Sequence, residues 1–143
     1  MLCPWADVLY AMDRKWWTVM RSEAMSFRGQ KYSSAGNIPG VKMTPANPKG
    51  GNSGAGAIHL AAHMGAENIV LVGYDCDTGK DGIRHWHGAH KAGLGDAVSL
   101  PKFAGQFEQS AKHLHRINIV NASRHTLLEV WPRITLEQAL DAF

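Results

Sequence analysis

The segment from Asn52 to Asp75 constrains the fold of this chain more than any other part. It reads as a glycine-rich turn, a helix of small residues, an apolar strand at 68–73 and then an acidic residue. A near-continuous apolar strand is typical of a parallel sheet with helices on both faces. Ligands of such sheets bind outside the carboxyl ends of the strands. The segment therefore predicts an α/β fold with a candidate site around Asp75.

The remaining hydrophobic patterns continue this alternation of strands and helices. They predict strands at 7–12, 30–33, 41–44 and 119–121, and helices at 14–25, 53–64, 102–117 and 136–143. The tryptophans Trp5, Trp16, Trp17 and Trp131 are interpreted as packing anchors. A chain of 143 residues is long enough to bury the core of one domain. We predict a single Rossmann-like, three-layer α/β domain over residues 1–143, with a mostly parallel sheet.

Composition limits the classes of function. No apolar run, including 69–72, is long enough to cross a bilayer, and the first residues lack the pattern of a signal peptide. Two cysteines far apart in sequence, Cys3 and Cys76, are typical of a reducing compartment, so we expect a cytoplasmic protein. The formal charge of +3 is scattered along the chain, without the basic clusters of a dedicated nucleic-acid-binding protein. A small anionic ligand suits this charge.

Glycines surround the start of the predicted helix at 53–64. They are Gly50, Gly51, Gly54 and Gly56. Free N–H groups and the positive end of the helix dipole attract phosphate or carboxylate at such a position, which makes Asn52, Ser53 and Gly54 candidate nucleotide-binding residues. The alternative is structural: Asn52 or Ser53 caps the helix, and the glycines let it lie close to the sheet. Both interpretations stay open, because the spacing matches neither the dinucleotide fingerprint nor the P-loop.

Polar side chains follow two of the predicted strands. Asp75 comes just after the strand at 68–73, where a carboxylate can bind a ribose hydroxyl, bind a divalent metal or transfer a proton. Arg124 follows the strand at 119–121 and either pairs with a phosphate or carboxylate or is an exposed turn residue. We expect both side chains at the same edge of the sheet. Asp77 is interpreted as a residue that caps the turn.

Three histidines fall within six residues of a long loop at about 74–101. They are His85, His87 and His90. Loops of this length inside a domain are often functional, and these imidazoles suit either a general base or a transition-metal site. The spacing resembles the His-x-His-x-Asp-His motif of metallo-β-lactamase-type hydrolases, with Ala89 at the aspartate position. His59 and His63 of the predicted helix have no acidic partner and are interpreted as surface residues or as residues whose hydrogen bonds are satisfied within the fold.

Longer motifs carry a resemblance to known families. The stretch from Asn52-Ser53-Gly54 to Gly73-Tyr74-Asp75 resembles the Asn-x-Ser-Gly helix and Gly-Ile-Asp strand end of bacterial sialyltransferases that use CMP-sialic acid. It is similar also to the related family that includes 6-hydroxymethylpterin diphosphokinases. The wider chain resembles uncharacterised bacteriophage and prophage proteins of this superfamily, through Pro4-Trp5-Ala6-Asp7, Asp13-x-x-Trp16-Trp17 and Asn121-Ala122-Ser123-Arg124.

The resemblance implies a nucleotide-binding, glycosyltransferase-like protein. In this interpretation Asn52, Ser53, Gly54 and Asp75 contact the nucleotide, and one of His85, His87 and His90 is the base that deprotonates a hydroxyl acceptor. The families carry an upstream strand and a Gly-x-Gly-Pro-Ser-like loop that do not occur here, so we expect an amino-terminally truncated copy of the fold. A homo-oligomer would then cover an exposed sheet edge.

Two other functions remain as alternatives. One is a metal-binding hydrolase that holds a divalent ion with His85, His87, His90 and Asp75. The other is a non-catalytic phage accessory or morphogenesis protein that has retained the fold.

Overall fold

The computed structural model describes residues 3–44, 51–77, 94 and 100–143, the last range with side chains from residue 102 onward. It contains parallel strands and α-helices. The strands are β1 (Val8–Tyr10), β2 (Gln30–Ser33), β3 (Lys42–Met43), β4 (Asn68–Leu71) and β5 (Asn118–Asn121). The helices are α1 (Arg14–Val19), α2 (Arg21–Met25), α3 (Ser53–His63), α4 (Leu100–His113) and α5 (Leu136–Ala142). The architecture is therefore mixed α/β.

The strands form two parallel sheets. In the first sheet β2 lies between β1 and β3, with Tyr10 of β1 beside Tyr32 of β2. In the second sheet β4 pairs with β5, so that Leu71 lies beside Asn121, and Asn121 forms a further parallel bridge with Arg133. Because every strand pair in the described ranges is parallel, the carboxyl ends of each sheet share one edge.

Two clusters of buried apolar residues lie against these sheets. The larger cluster packs α3 and α4 on β4 and β5, and its centre is Phe107, whose ring lies 5.9 Å from those of Tyr74 and Trp131 in edge-on contacts. The smaller cluster surrounds Trp17, whose indole N–H donates to the carbonyl of Ala11 at 3.0 Å. Each sheet is therefore stabilised by its own cluster.

Helix α3 connects the two sheets. Its residues Ala55 and Ile58 belong to the larger cluster, while Gly56 faces β1. A methyl group at position 56 would lie 2.3 Å from the hydroxyl of Tyr10, so only glycine permits this approach. Met12, which follows β1, supplies a further link to α3, because its N–H donates to the Ser53 hydroxyl at 3.4 Å.

The element types predicted from sequence are confirmed, with differences at their ends. The single helix predicted at 14–25 is interrupted at Met20, where ψ is 15° and the chain leaves the helical conformation. Trp17 of α1 and Ala24 of α2 both face the smaller cluster, so the break lets two short helices pack on the same core. The helix predicted at 102–117 ends at His113, because a turn with a bond from Ile117 N–H to the Leu114 carbonyl leads into β5.

One packing prediction is wrong. Trp5 is not an anchor, since it lies just before β1 and is 79% exposed. On α3, Ile58 and Leu60 are buried, whereas Met64 and Gly65 beyond the end of the helix are exposed. The helix ends at His63 and Gly65 adopts a positive φ of 96°, which turns the chain away from the core.

None of the helices in the described part of the chain has the length and apolarity that a membrane crossing requires.

Candidate functional site

The amino end of α3 lies where β1 ends. Asn52 caps the helix: its Oδ1 accepts the N–H of Ala55 at 2.8 Å, and its Nδ2 donates to Oε1 of Gln106 on α4, also at 2.8 Å. The side chain is only 6% exposed, so both ends of the amide are held by the protein. The capping interpretation is confirmed for Asn52, and a direct ligand contact by this residue stays a prediction.

Glycine at position 54 has a packing role as well. A methyl group there would lie 3.0 Å from Cε1 of Tyr74, and the carbonyl of Gly54 accepts the Tyr74 hydroxyl at 3.1 Å. Together with Gly56, this confirms that the glycines let α3 lie close to its neighbours. The groups left at the surface are Ser53 and Gly51, so the predicted binding role of Asn52-Ser53-Gly54 depends mainly on the serine and the adjacent backbone.

The loops that follow β4 and β5 are bonded to each other. The N–H of Tyr74 donates to the Ser123 hydroxyl at 2.8 Å, and the Thr126 hydroxyl donates to the Tyr74 carbonyl at 2.6 Å. The N–H of Leu127 donates to the Asp75 carbonyl at 2.8 Å. Buried Asn121 supports Thr126 through a bond from its Nδ2 at 3.1 Å. Such a network fixes the relative position of the two loops.

Tyr74 joins this network to α3. Burial, followed by the nearby Cys76, raises the pKa of the Tyr74 phenol to about 12. The hydroxyl is therefore protonated at neutral pH and remains the donor to Gly54. As a result, three segments converge at one edge of the molecule: the start of α3, residues 74–77 and residues 123–127.

The predicted site residues Asp75 and Arg124 lie on these bonded loops, and both are exposed. The Arg124 carbonyl accepts a bond from the guanidinium of Arg133. The expectation that the two residues share one edge agrees with their positions after adjacent parallel strands. Contact of either side chain with a ligand stays a prediction.

A histidine that sequence analysis did not consider also lies here. Nε2 of His125 is 2.9 Å from Oδ2 of Asp77, with side-chain exposures of 66% and 30%. Because a carboxylate only accepts, Nε2 carries the hydrogen, and in the neutral ring Nδ1 keeps a lone pair. An imidazole oriented in this way by a carboxylate is the arrangement of a general base. The signal in the sequence was the position of both residues just after neighbouring strands.

Cys76 is the other ionisable group on this loop. It adopts a positive φ of 53°, and burial, followed by the charge of Asp75, raises the pKa of its thiol to about 11. The thiol is therefore protonated at neutral pH, which excludes a role as an activated nucleophile in this conformation.

The loop histidines His85, His87 and His90 lie outside the described residues. Within the described ranges, no group of three or more His, Cys, Asp or Glu side chains is arranged to hold a metal ion. A separate concavity at the amino ends of β1 and β2 is lined by residues that include Trp5, Asp7, Arg28 and Gln30, and none of its lining residues belongs to the bonded loops.

The carboxyl edge is formed by the start of α3, residues 74–77 and residues 123–127. It combines the amino end of a helix with the exposed carboxylate of Asp75, the exposed guanidinium of Arg124 and the oriented imidazole of His125. These groups can bind an anion, bind a hydroxyl and accept a proton. Comparisons with models of known protein families, with curated proteins and with solved structures found no match.

Proposed function

We propose that this chain binds a nucleotide at the carboxyl edge formed by α3, residues 74–77 and residues 123–127, and acts as a glycosyltransferase-like enzyme. In this proposal a group moves from a nucleotide-activated donor to a hydroxyl acceptor, in the cytoplasm. The observation that carries it is the convergence of the three segments through Tyr74, which bonds to Gly54, Ser123 and Thr126. Loops held by a rigid scaffold are where binding residues concentrate.

The proposal includes a Rossmann-like arrangement in which the two parallel sheets are parts of one sheet. Their strand orders, β3-β2-β1 and β4-β5, are those expected on either side of the crevice in a Rossmann sheet, where the order reverses between the first and fourth strands. Helix α3 packs on β1 through Gly56 and on the larger cluster through Ile58, which supports placing β1 beside β4. The start of α3 would then lie at that crevice.

Each group at the edge has a role in this proposal. The Ser53 hydroxyl and the backbone at the start of α3 bind phosphate, and Arg124 adds a charged donor to the same phosphate. Asp75 accepts a ribose hydroxyl. The proton of the acceptor hydroxyl goes to one of the loop histidines His85, His87 and His90 or to His125, which Asp77 orients.

Calorimetric titration with CMP and CTP tests the site. Arg124→Ala should weaken nucleotide binding by about tenfold or more, because a hydrogen bond to a charged group is removed. Arg116→Ala is the matched control, since Arg116 is equally exposed but precedes β5 at the opposite edge. Asp75→Asn should weaken CTP binding but not the binding of inorganic phosphate.

The proposal is wrong if the wild-type protein binds neither nucleotide. It is wrong also if Arg116→Ala and Arg124→Ala weaken binding equally, because the effect would then reflect overall charge rather than the edge described above.

A further inference from the structure

Two histidines on different helices face each other away from the carboxyl edge. His59 of α3 and His113 of α4 have ring centroids 6.4 Å apart, with an angle of 61° between the rings. The sequence places His59 one helical turn from His63, but the structure gives it a partner on the other helix. The packing of α3 against α4 therefore creates an imidazole pair that neither helix has alone.

His113 is held in one orientation. Its Nδ1 lies 2.8 Å from the carbonyl oxygen of Gln109, one turn earlier on α4. A carbonyl only accepts, so Nδ1 carries the hydrogen, and Nε2 of the neutral ring keeps its lone pair. Metal-binding histidines typically donate their second ring N–H to a carbonyl in this way, which fixes the tautomer and the ring orientation.

His59 is suited to the same chemistry. Its side chain is half-buried, and neither ring nitrogen has a hydrogen-bond partner among the described residues. Burial, followed by the charge of a protonated His113, lowers the pKa of the His59 imidazole. The ring is therefore neutral at physiological pH and offers a lone pair.

The separation of the rings fits a shared ion. A metal–nitrogen distance of about 2.0–2.1 Å places an ion about 3.2 Å from the centroid of each ligand ring. The centroids of two such rings are then about 5 Å apart when the rings meet the ion at a tetrahedral angle. They are about 6.4 Å apart when the rings lie on opposite sides of the ion. The observed 6.4 Å lies at the upper end of this range.

We propose that His59 and His113 form a two-histidine site for a divalent transition-metal ion that imidazole favours, such as Ni²⁺, Cu²⁺ or Zn²⁺. Water completes the coordination, since the part of the chain that the structure describes supplies no third ligand there. The ion links α3 to α4, the two helices that also share the bond between Asn52 and Gln106. Metal binding would thus stabilise the helix pair beneath the carboxyl edge.

Titration with Ni²⁺ followed by calorimetry tests this site in the full chain. The background carries His85→Ala, His87→Ala and His90→Ala, so that the loop histidines contribute nothing. We expect one equivalent of Ni²⁺ to bind, and His59→Ala or His113→Ala to weaken binding by at least about 100-fold, because each removes one of two joined ligands. His63→Ala and His115→Ala are matched controls and should retain the affinity.

A thermal melt provides the second measurement. Ni²⁺ should raise the melting temperature of the background protein, because the folded state alone holds the two imidazoles together, and should not raise that of His59→Gln. Circular dichroism without metal checks that each variant folds. The proposal is overturned if no Ni²⁺ binds at one equivalent. It is overturned also if His63→Ala loses the affinity while His113→Ala retains it, which would place the ion on α3 alone.

Discussion

The two sheets pack against hydrophobic cores of different size, and the buried polar side chains beside them form different hydrogen bonds. Eight buried apolar residues support β4 and β5, and the buried side chains of Asn121 and Ser123 connect the loops that follow these strands. Four buried apolar residues support the sheet of β1, β2 and β3, and the hydroxyl of the buried Ser33 accepts the N–H of Ala35 within the same segment of chain. The larger core thus lies under the candidate site, where loops need a rigid base.

The largest loss of stability should come from replacing a buried phenylalanine beside each of the two sheets. Phe107 is 2% exposed at the centre of the larger cluster, whereas Phe27 is 4% exposed beside the first sheet. Phe107→Ala should lower the free energy of unfolding by about 3–5 kcal/mol, and Phe27→Ala by less, because Phe27 belongs to neither of the two buried clusters. Urea denaturation measures both. A larger loss for Phe27→Ala would contradict the view that the second sheet is the stable base.

The next effect concerns the contact that joins the halves. Gly56→Ala places a methyl group against Tyr10 and should destabilise the protein by about 1–3 kcal/mol. Gly105 on α4 is the matched control, because a methyl group there meets nothing within 4 Å, so Gly105→Ala should stabilise by about 0.5–1 kcal/mol. In a double-mutant cycle, Tyr10→Leu should relieve part of the cost of Gly56→Ala. If the effects of Gly56→Ala and Tyr10→Leu on stability are additive, α3 does not pack against β1 through this contact.

Removing the buried cap of α3 should cost more stability than removing the exposed cap of α5. Asn52→Ala removes a buried cap and leaves Gln106 without its partner, so its cost should be about 2 kcal/mol, at the upper end for such substitutions. Thr135→Ala removes the exposed capping box of α5 and should cost about 0.5–1 kcal/mol. Chemical denaturation compares them. Equal losses would show that the bond between Asn52 and Gln106 adds little.

The smallest effect is the pH dependence that His59 contributes. Burial and then His113 lower the pKa of folded His59 below its ordinary value of 6.5, so the unfolded chain binds the proton more readily. Stability is therefore unaffected by this group above that value and falls as the pH drops below it. Between about pH 7.5 and pH 5.5, wild type should lose more stability than His59→Gln. His63→Gln on the same helix is the comparison variant, and an equal loss in wild type and both variants would contradict the assignment.

The strands and helices could be predicted because the pattern of apolar and small residues that specifies each element lies within that element. The apolar run of β4 and the small residues of α3 specify element type and order before any packing is known. The break at Met20 and the exposure of Trp5 could not be predicted, because both depend on which surface each segment meets. The positions of Asp75 and Arg124 followed from strand polarity, whereas the pairing of His125 with Asp77 depends on how two loops are bonded.

The half-buried Cys76 has a practical consequence. Since its thiol is protonated at neutral pH, a maleimide reagent should modify the exposed Cys3 and leave Cys76 unchanged. A fluorophore attached in this way would report on the start of β1 without any cysteine being replaced. The wild-type protein is thus suited to distance measurements between its amino-terminal end and a labelled nucleotide.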